Sequence, residues 1–242
     1  MSAQKLHRGI IPLFILIAVG IAILGAGGVY IIQQNFVKTG KSGKAALDEE
    51  KIKQQIANPT PLPTPSAEPS TKLAAKEFSY TPQAKDQTNG EPGFNINPPS
   101  GWLSTSAVST NEKAGFEAPD EDKEDGEEGS GLVVNSRARI TVQVQNLGPS
   151  LTLALLIDGI KQKSSNDFEK IEYLSETKTN LNGAETFRIE TKSLRKGVWV
   201  HSVDYLFAKN GYAIALSGTS FDSAWSKRSG AINASLASFT IK

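Results

Sequence analysis

The densest cluster of side chains that could do chemistry is the acidic run EAPDEDKEDGEEGSG at residues 117–131, with eight carboxylates and one lysine. A calcium-binding loop of the EF-hand type needs oxygen ligands at alternate positions and a glycine at the sixth. Counted from Asp120, the sixth residue is Asp125, and Gly126 comes one position late. Runs of like charge usually stay solvated. The sequence therefore predicts a mobile loop over residues 120–130 and no metal site.

The other candidate for chemistry is histidine, because the chain contains no cysteine. Without cysteine there is no disulfide, no thiolate nucleophile and no cysteine-bearing zinc site. The two histidines are His7, which precedes an apolar run, and His201. On a strand, His201 shares a face with Trp199 and Tyr205, whereas Asp204 points to the other face. We interpret His201 as a hydrogen-bonded core residue and not as a catalytic base.

Motifs for catalysis and cofactor binding are absent from the sequence. The stretch ALSGTS (215–220) lacks the Gly-x-Ser-x-Gly elbow, and there is no phosphate-binding loop or dinucleotide fingerprint. We therefore expect no enzyme, no catalytic residue and no cofactor. The 26 basic and 25 acidic residues give a net charge of +1, without the basic excess of a nucleic-acid-binding domain. We expect no nucleic-acid partner.

A membrane anchor is predicted near the N-terminus, after a short tail at residues 1–8. Residues 9–32, GIIPLFILIAVGIAILGAGGVYII, carry no charge and are long enough to cross a bilayer as a helix. The alternative is a cleaved signal peptide, whose apolar region is normally shorter. Ala18, Ala22 and Ala26 repeat every four residues, a spacing compatible with weak homodimerisation.

A polar linker is predicted over residues 33–92. Prolines at positions 59, 61, 63, 65 and 69 oppose helix and sheet and favour an extended, disordered stalk. Lysines flank both ends of the apolar span, so charge alone does not decide its orientation. Because such a stalk directly follows an anchor, we expect a single-pass protein of the cell membrane whose C-terminal domain is extracytoplasmic.

Residues 93–242 carry the pattern of one folded domain. RARITVQVQNL (137–147) alternates apolar and polar residues and predicts a half-buried strand. PSLTLALLIDGI (149–160) has helical spacing and predicts a helix that starts near Pro149 and Ser150. Four further strands are predicted between 168 and 220, separated by the turn pairs Asn182-Gly183, Lys196-Gly197 and Asn210-Gly211. This spacing predicts an antiparallel meander.

The last predicted helix begins near Thr219, which together with Asp222 resembles a capping box. Its apolar side would contain Phe221, Trp225, Ile232 and Leu236, and SFTI (238–241) closes the chain as a strand. The predicted fold class is therefore α+β: an α/β/α sandwich with a central antiparallel sheet, preceded by a single transmembrane helix and a disordered Pro-rich stalk.

The stretch FNINPPSGW (94–102) opens the folded domain. Phe94 and Ile96 alternate as a strand that enters the sheet, and the two prolines end it because proline cannot donate to a strand ladder. Gly101 permits a tight turn, and Trp102 is expected to be buried at one end of the core. We interpret the motif as structural.

With AGFEAP (114–119), LNG (181–183) and FDSAWSKRSGAINASLASFTI (221–241), this motif follows a familiar order. Residues 93–242 resemble the PsbP family, named for the extrinsic photosystem II protein, and its bacterial DcrB-like relatives. The resemblance implies an α/β/α sandwich around an antiparallel sheet and no catalytic residues.

Function follows from this layout as a hypothesis. The leading hypothesis is a bacterial, membrane-anchored module that associates with an envelope protein outside the cell. The alternative is a small-ligand or metal-binding module on the same scaffold, and a hydrolase is third. A pocket lined by convergent polar groups would favour the alternative, and an exposed aromatic surface would favour association.

Overall fold

The structure is a computed structural model that describes residues 36–37, 72–107, 109–125, 133–195 and 197–242. The described residues form fourteen strands and three helices. The elements in chain order are β1 (Phe36–Val37), β2 (Lys72–Leu73), β3 (Phe78–Tyr80), α1 (Ala84–Thr88), β4 (Phe94–Ile96), β5 (Leu103–Ser104), β6 (Glu112–Glu117), β7 (Asp122–Asp125), β8 (Val133–Ser136), β9 (Arg139–Asn146), α2 (Leu153–Asp167), β10 (Lys170–Leu181), β11 (Ala184–Arg195), β12 (Val198–Lys209), β13 (Tyr212–Phe221), α3 (Trp225–Ala237) and β14 (Thr240–Ile241).

Eight strands form one antiparallel sheet in the order β10-β11-β12-β13-β9-β6-β5-β2. Strands β10 to β13 follow one another as hairpins. Asn182, Gly183, Asn210 and Gly211 all have positive φ, as two-residue hairpin turns require. Gly197 also has positive φ between β11 and β12. The predicted meander and its three turns are confirmed.

The two longer helices pack against opposite faces of this sheet. Successive strand residues point to opposite sides. On β13, Ile214 belongs to the apolar cluster that contains Ile232 of α3. The next residue, Ala215, belongs to the cluster that contains Leu156 and Ile160 of α2. The predicted α+β class with a central antiparallel sheet is confirmed.

Helix α2 begins slightly later than the sequence predicted. The helix starts at Leu153, and the hydroxyl of Thr152 accepts a hydrogen bond from the Leu155 amide at 3.2 Å. Pro149 and Ser150 lie in the preceding turn. The Thr152 cap determines where the helix starts, because it satisfies an amide in the first turn that has no partner within the helix.

Strand β9 is buried on both faces, so the prediction of a half-buried strand is wrong. Arg139, Thr141 and Gln143 are each less than 5% exposed although they are polar. Arg139 Nη2 donates to Glu112 Oε1 at 2.6 Å, and Arg139 Nη1 lies 3.6 Å from Glu117 Oε1. Because the buried guanidinium has these partners, the polar face of β9 can be covered.

The predicted capping box at the last helix is also wrong. Thr219 lies inside β13, opposite Arg139 of β9, and Phe221 is the last residue of that strand. Helix α3 starts at Trp225. The residue at its N-cap position is Ala224, whose side chain cannot form a capping hydrogen bond. Strand pairing extends to Phe221, so Thr219 is not available at the helix terminus.

The folded part begins before residue 93, within the stretch assigned to the linker. Strands β14, β4 and β3 form a small second sheet, so Phe94 and Ile96 lie there and not in the main sheet. The Phe78 ring lies 5.5 Å from that of Phe116. Aromatic packing thus keeps part of 72–92 in the core. Trp102 is buried as predicted, at 4% exposed.

The acidic run is partly structured by ion pairs. Strand β7 pairs with β8, and β1 adds to the other side of β8. Arg228 Nη2 on α3 lies 2.8 Å from Asp122 Oδ1 and 3.0 Å from Asp120 Oδ2. The prediction of a mobile loop is therefore wrong for residues 120–125, because bases on α3 neutralise the acids. Residues 126–132 lie outside the described residues.

The predicted anchor at residues 9–32, with Ala18, Ala22 and Ala26, lies outside the described residues, as do the prolines of the stalk. In the part of the chain that the structure describes, no helix is both long and apolar enough to cross a bilayer.

Candidate functional site

A set of charged side chains lies on the α3 side of the sheet, beside the first residue of α3. Arg188, Glu190 and Lys192 alternate along β11 and therefore share one face. Antiparallel pairing places Lys192 opposite His201 of β12. Asp222 follows the end of β13, and its carboxylate lies beside the His201 ring. Three separate segments thus bring these groups together.

His201 is the centre of this arrangement. Its side chain is only 5% exposed. Nε2 lies 2.9 Å from Glu190 Oε1, and Nδ1 lies 3.2 Å from Asp222 Oδ1. The ring stacks on Trp225, with centroids 3.9 Å apart and planes 7° from parallel. Because a carboxylate oxygen only accepts, both ring nitrogens donate at once when the imidazole carries both protons.

Two outer cations complete the network. Arg188 Nη2 donates to Glu190 Oε2 at 2.7 Å, and Lys192 Nζ donates to Asp222 Oδ2 at 2.8 Å. Burial raises the pKa of the Glu190 carboxyl, but hydrogen bonds from Arg188 and His201 lower it more, so its pKa lies below the usual range. The same balance, with Lys192 and His201 as donors, lowers the pKa of Asp222. We call Arg188, Glu190, Lys192, His201, Asp222 and Trp225 the His201 cluster.

Aromatic side chains border the His201 cluster. Trp199 lies on the same face of β12, two residues before His201, and Lys170 Nζ lies 5.2 Å from its ring centroid. Tyr205 lies opposite Arg188. Trp199, Tyr205 and Trp225 are all half-buried. We call the His201 cluster together with Trp199 and Tyr205 the polar sheet face.

The geometry limits the chemistry of His201. A general base needs a free nitrogen lone pair that faces a substrate. Here both ring nitrogens face carboxylates of the protein. Glu190 and Asp222 also lie at different nitrogens of the same ring, so the three cannot converge on one ion. Among the described residues, no group of three or more His, Asp or Glu is arranged to hold a metal.

The interpretation of His201 from sequence as a buried, hydrogen-bonded residue is confirmed. Its partners Glu190 and Asp222 were missed. Asp204 lies in β12 three residues further on and accepts a hydrogen bond from Ser217 on the α2 side, away from His201. The alternating charges Arg188, Glu190 and Lys192 are the signal in the sequence that pointed to a polar strand face.

An open cleft of about 340 Å³ lies at the opposite end of strands β11 and β12, lined mainly by Leu153, Ala184, Phe207, Lys209 and Ile241. Its polar groups already have partners. The amide of Asn182 at its rim donates to the carbonyls of residues 237 and 239, and Lys209 Nζ donates to the carbonyl of residue 242 at 3.3 Å. The cleft therefore lacks the convergent polar groups of a small-ligand site.

Several solved structures are similar to this chain. Cyanobacterial PsbP from Synechocystis sp. PCC 6803 is 16% identical, with 76% of this chain and 100% of that chain covered and a TM-score of 0.46. LpqN, involved in cell envelope biogenesis of Mycobacterium tuberculosis, is 12% identical, with 69% and 92% covered and a TM-score of 0.51. The Ran-binding protein Mog1p of Saccharomyces cerevisiae is 12% identical, with 70% and 96% covered and a TM-score of 0.42.

A PsbP is thus among the solved structures that match the chain, as the sequence motifs predicted, and the likeness concerns the fold alone. No protein-family model matches the sequence, and no curated protein matches it.

Proposed function

We propose that this chain is a non-enzymatic protein-binding module of the cell envelope. In this proposal residues 9–32 anchor it in the membrane, the folded domain lies outside the cytoplasmic membrane, and a partner protein binds the polar sheet face. The observation that carries the proposal is the composition of that face. It combines an arginine with three half-buried aromatic side chains around a fixed network of charges.

Tryptophan, tyrosine and arginine are the residues most enriched among those that dominate binding energy at protein interfaces. Arg188 of β11 lies opposite Tyr205 of β12, and Trp199 lies on the same face of β12, six residues before Tyr205. Their side chains are neither fully buried in the core nor fully exposed. A large aromatic surface in this position gains free energy when a partner covers it.

The His201 cluster supports binding more than catalysis. Each carboxylate lies within hydrogen-bond distance of one His201 nitrogen and accepts from one cation, so the side chains are held in one arrangement before a partner arrives. A preorganised surface binds more tightly because fewer side chains lose freedom on association. The same contacts place a carboxylate of the protein at each His201 nitrogen, whereas a histidine that acts as general base in a hydrolase needs one nitrogen facing the substrate.

The test compares truncations of two large apolar side chains in the full-length protein. Trp199→Ala removes an aromatic ring of the polar sheet face outside the His201 cluster. Leu155→Ala is the control, because Leu155 is 41% exposed on helix α2, on the opposite side of the sheet. Each variant is expressed in cells, crosslinked in the membrane and purified, and the captured proteins are quantified by mass spectrometry.

We expect at least one envelope protein to be captured by the wild type and by Leu155→Ala, and to be reduced roughly 30-fold with Trp199→Ala, as for a residue that dominates an interface. Equal capture by all three would overturn the proposal. The placement outside the cytoplasmic membrane is tested separately by adding protease to intact spheroplasts. Full protection of the folded domain would refute that placement.

A further inference from the structure

Strand β8 is paired along both of its edges. Strand β7 pairs with one edge, and the two residues of β1 pair with the other. In the second pairing Phe36 lies opposite Val134, and Val37 lies opposite Val133. Aromatic and β-branched residues favour strands, so the residue types of both segments suit the pairing. Without β1, the backbone amides and carbonyls on this edge of β8 would be open to other chains.

Strand β8 is in turn fixed to the rest of the folded domain. Val134 is 2% exposed and belongs to one apolar cluster with Val200 of β12 and Phe221 of β13. On the neighbouring strand β7, Glu124 accepts a hydrogen bond from the Ser223 hydroxyl. Apolar packing and hydrogen bonds therefore hold the small sheet β1-β8-β7 against the end of the main sheet.

The chain between the predicted anchor and β1 is short. Three residues, 33–35, separate Phe36 from the apolar stretch 9–32. Four steps from one α-carbon to the next span at most about 14 Å. Because paired strands lie about 5 Å apart, Val134 lies within roughly 20 Å of the end of the apolar stretch.

Residues 38–71 do not set the distance between the domain and the membrane in this arrangement. They begin after β1, which pairs with β8, and end before β2, which pairs with β5. Both ends of the segment are therefore attached to the folded domain. If β1 were not paired, residues 33–71 would let the domain stand on the order of 100 Å from the anchor. The pairing replaces that reach by a tether of four residues.

The small size of β1 is offset because the pairing is intramolecular. Two residues form too few hydrogen bonds to hold a separate chain. A segment of the same chain, however, is present at a high effective concentration. The free-energy cost of closing the loop formed by residues 38–71 grows only with the logarithm of its length.

We propose that β1 docks the folded domain against the membrane at the end of its own anchor, with the small sheet β1-β8-β7 towards the bilayer. The inference rests on the function proposed above for residues 9–32. It also bears on the partner, because Val200 directly precedes His201 and Phe221 directly precedes Asp222. The polar sheet face thus lies at the end of the main sheet that β8 contacts, where a protein embedded in the same membrane can reach it.

The absence of cysteine from the chain allows a disulfide test. Val37 and Val133 are direct partners in the antiparallel ladder, and α-carbons about 4.5–5.5 Å apart are within the range for a disulfide. The variant Val37→Cys/Val133→Cys is made in the full-length protein, with a site for a specific protease inserted within residues 59–69. Membranes are oxidised mildly, cut with the protease and run on a denaturing gel. We expect the two fragments to stay linked without reductant and to separate with it.

Val37→Cys/Asp125→Cys is the matched control. Asp125 of β7 lies opposite Val133, so positions 37, 133 and 125 form one row across the small sheet. Two strand spacings, about 10 Å, separate position 37 from position 125, which is too far for a disulfide. A free tether that collides with the domain at random would link to Asp125 at least as readily, because Asp125 is exposed on an edge strand.

Energy transfer to the bilayer supplies a second readout. A donor dye is attached at Lys227→Cys, because Lys227 is 59% exposed and lies beside the β7 segment through its ion pair with Asp120. Acceptor dyes are placed on the lipids of reconstituted vesicles. Transfer should be strong with the native β1 and should fall when Phe36 and Val37 are both replaced by proline, which cannot donate to a strand ladder.

Tryptophan emission checks that every variant remains folded. No linkage between positions 37 and 133 in a folded protein, equal linkage to position 125, or transfer that the prolines leave unchanged would each overturn the proposal. None of these readouts depends on a partner, so loss of capture through Trp199 would refute the proposed partner surface and not the docking. Absence of the wild type from the membrane fraction would refute the anchor and the docking together.

Discussion

Asp204 is a buried carboxyl group whose hydrogen bonds only partly replace those it would make with water. Replacing it by asparagine should change how the free energy of unfolding depends on pH. The side chain lies on the α2 side of the sheet and is 2% exposed. The hydroxyl of Ser217 donates to Oδ1, and Oδ2 has no hydrogen-bond partner in the structure. Burial raises the pKa of Asp204 from 3.8 to about 6, although the hydrogen bond from Ser217 lowers it.

The sign of the effect follows from proton linkage. The folded protein holds the Asp204 proton up to about pH 6, whereas the unfolded chain releases it near pH 3.8. The contribution of the group to stability is therefore greatest below pH 3.8 and is lost as pH rises through 6. A shift of roughly two pKa units, at about 1.4 kcal/mol each, corresponds to a loss of about 3 kcal/mol.

Asp204→Asn removes the titration and keeps the size of the side chain. The free energy of unfolding of the variant differs from that of the wild type by two contributions. One does not depend on pH and is set by how well the amide fits the site, and the other is the pH-dependent contribution described above. We expect the free energy of unfolding of the variant, relative to the wild type, to rise by about 3 kcal/mol between pH 3.5 and pH 7.5. Asp158→Asn is the control, because Asp158 is an exposed carboxylate of α2.

Urea unfolding of the full-length protein in mild detergent measures this difference. The chain has three tryptophans, Trp102, Trp199 and Trp225, all within the described domain, so their fluorescence reports on its unfolding. A difference between Asp204→Asn and wild type that stays flat across this pH range would refute the reasoning. So would an equal change for Asp158→Asn.

The same urea assay checks three further expectations. Trp102→Ala should cost about 3–5 kcal/mol, because the ring is 4% exposed, and a loss under about 0.5 kcal/mol would contradict its burial. Gly218→Ala should destabilise by about 1–3 kcal/mol, since a β-carbon would lie 2.2 Å from a side-chain methyl of α3, whereas Gly230→Ala meets nothing within 4 Å and should be stabilising. Arg228→Ala should cost about 1–3 kcal/mol, because the Asp122 carboxylate, 11% exposed, loses both hydrogen bonds from the guanidinium and retains the 3.7 Å ion pair with Lys227. Lys227→Ala, at a side chain 59% exposed, should change stability by under about 1 kcal/mol.

The main sheet could be predicted because its information is local. The pairs Asn182-Gly183 and Asn210-Gly211 adopt the positive φ that their sequence favours. Once the turns are known, the register of β11, β12 and β13 follows by counting outward. A two-residue turn at 196–197 places Lys192 opposite His201, as the structure has it. Counting fails in β10, where the register shifts between Tyr173 and Ser175. Strand alternation and turn chemistry therefore suffice for β11 to β13 and for the part of β10 from Ser175 onward.

The acidic segment shows where local information ends. Its charge pattern resembles that of a solvated loop, but Asp120 and Asp122 lie beside Arg228, more than a hundred residues later in the chain. Nothing in the spacing of either segment reports this contact. Phe78 is a similar case, because Phe78 and Tyr80 alternate over only three residues of a polar stretch, which is too short a pattern to predict a strand, yet the Phe78 ring packs against Phe94 and Phe116.

The polar sheet face depends partly on local sequence patterns and partly on contacts between segments that are distant in the chain. Alternation on β11 places Arg188, Glu190 and Lys192 on one face, which the sequence could have shown. The meeting of His201 with Asp222 and Trp225 depends on where β13 ends and α3 begins, and that boundary was mispredicted.

The late start of α3 has a direct consequence for this face. Because the chain stays extended to Phe221, the side chain of Asp222 reaches His201 and Lys192 instead of capping the helix. The ring of Trp225, the first helical residue, then stacks on the imidazole. Asp222 thus stabilises the charged network at the cost of a helix cap worth about 1 kcal/mol. This exchange of a helix cap for a fixed charged network is the kind of local departure expected if the polar sheet face binds the partner that we propose.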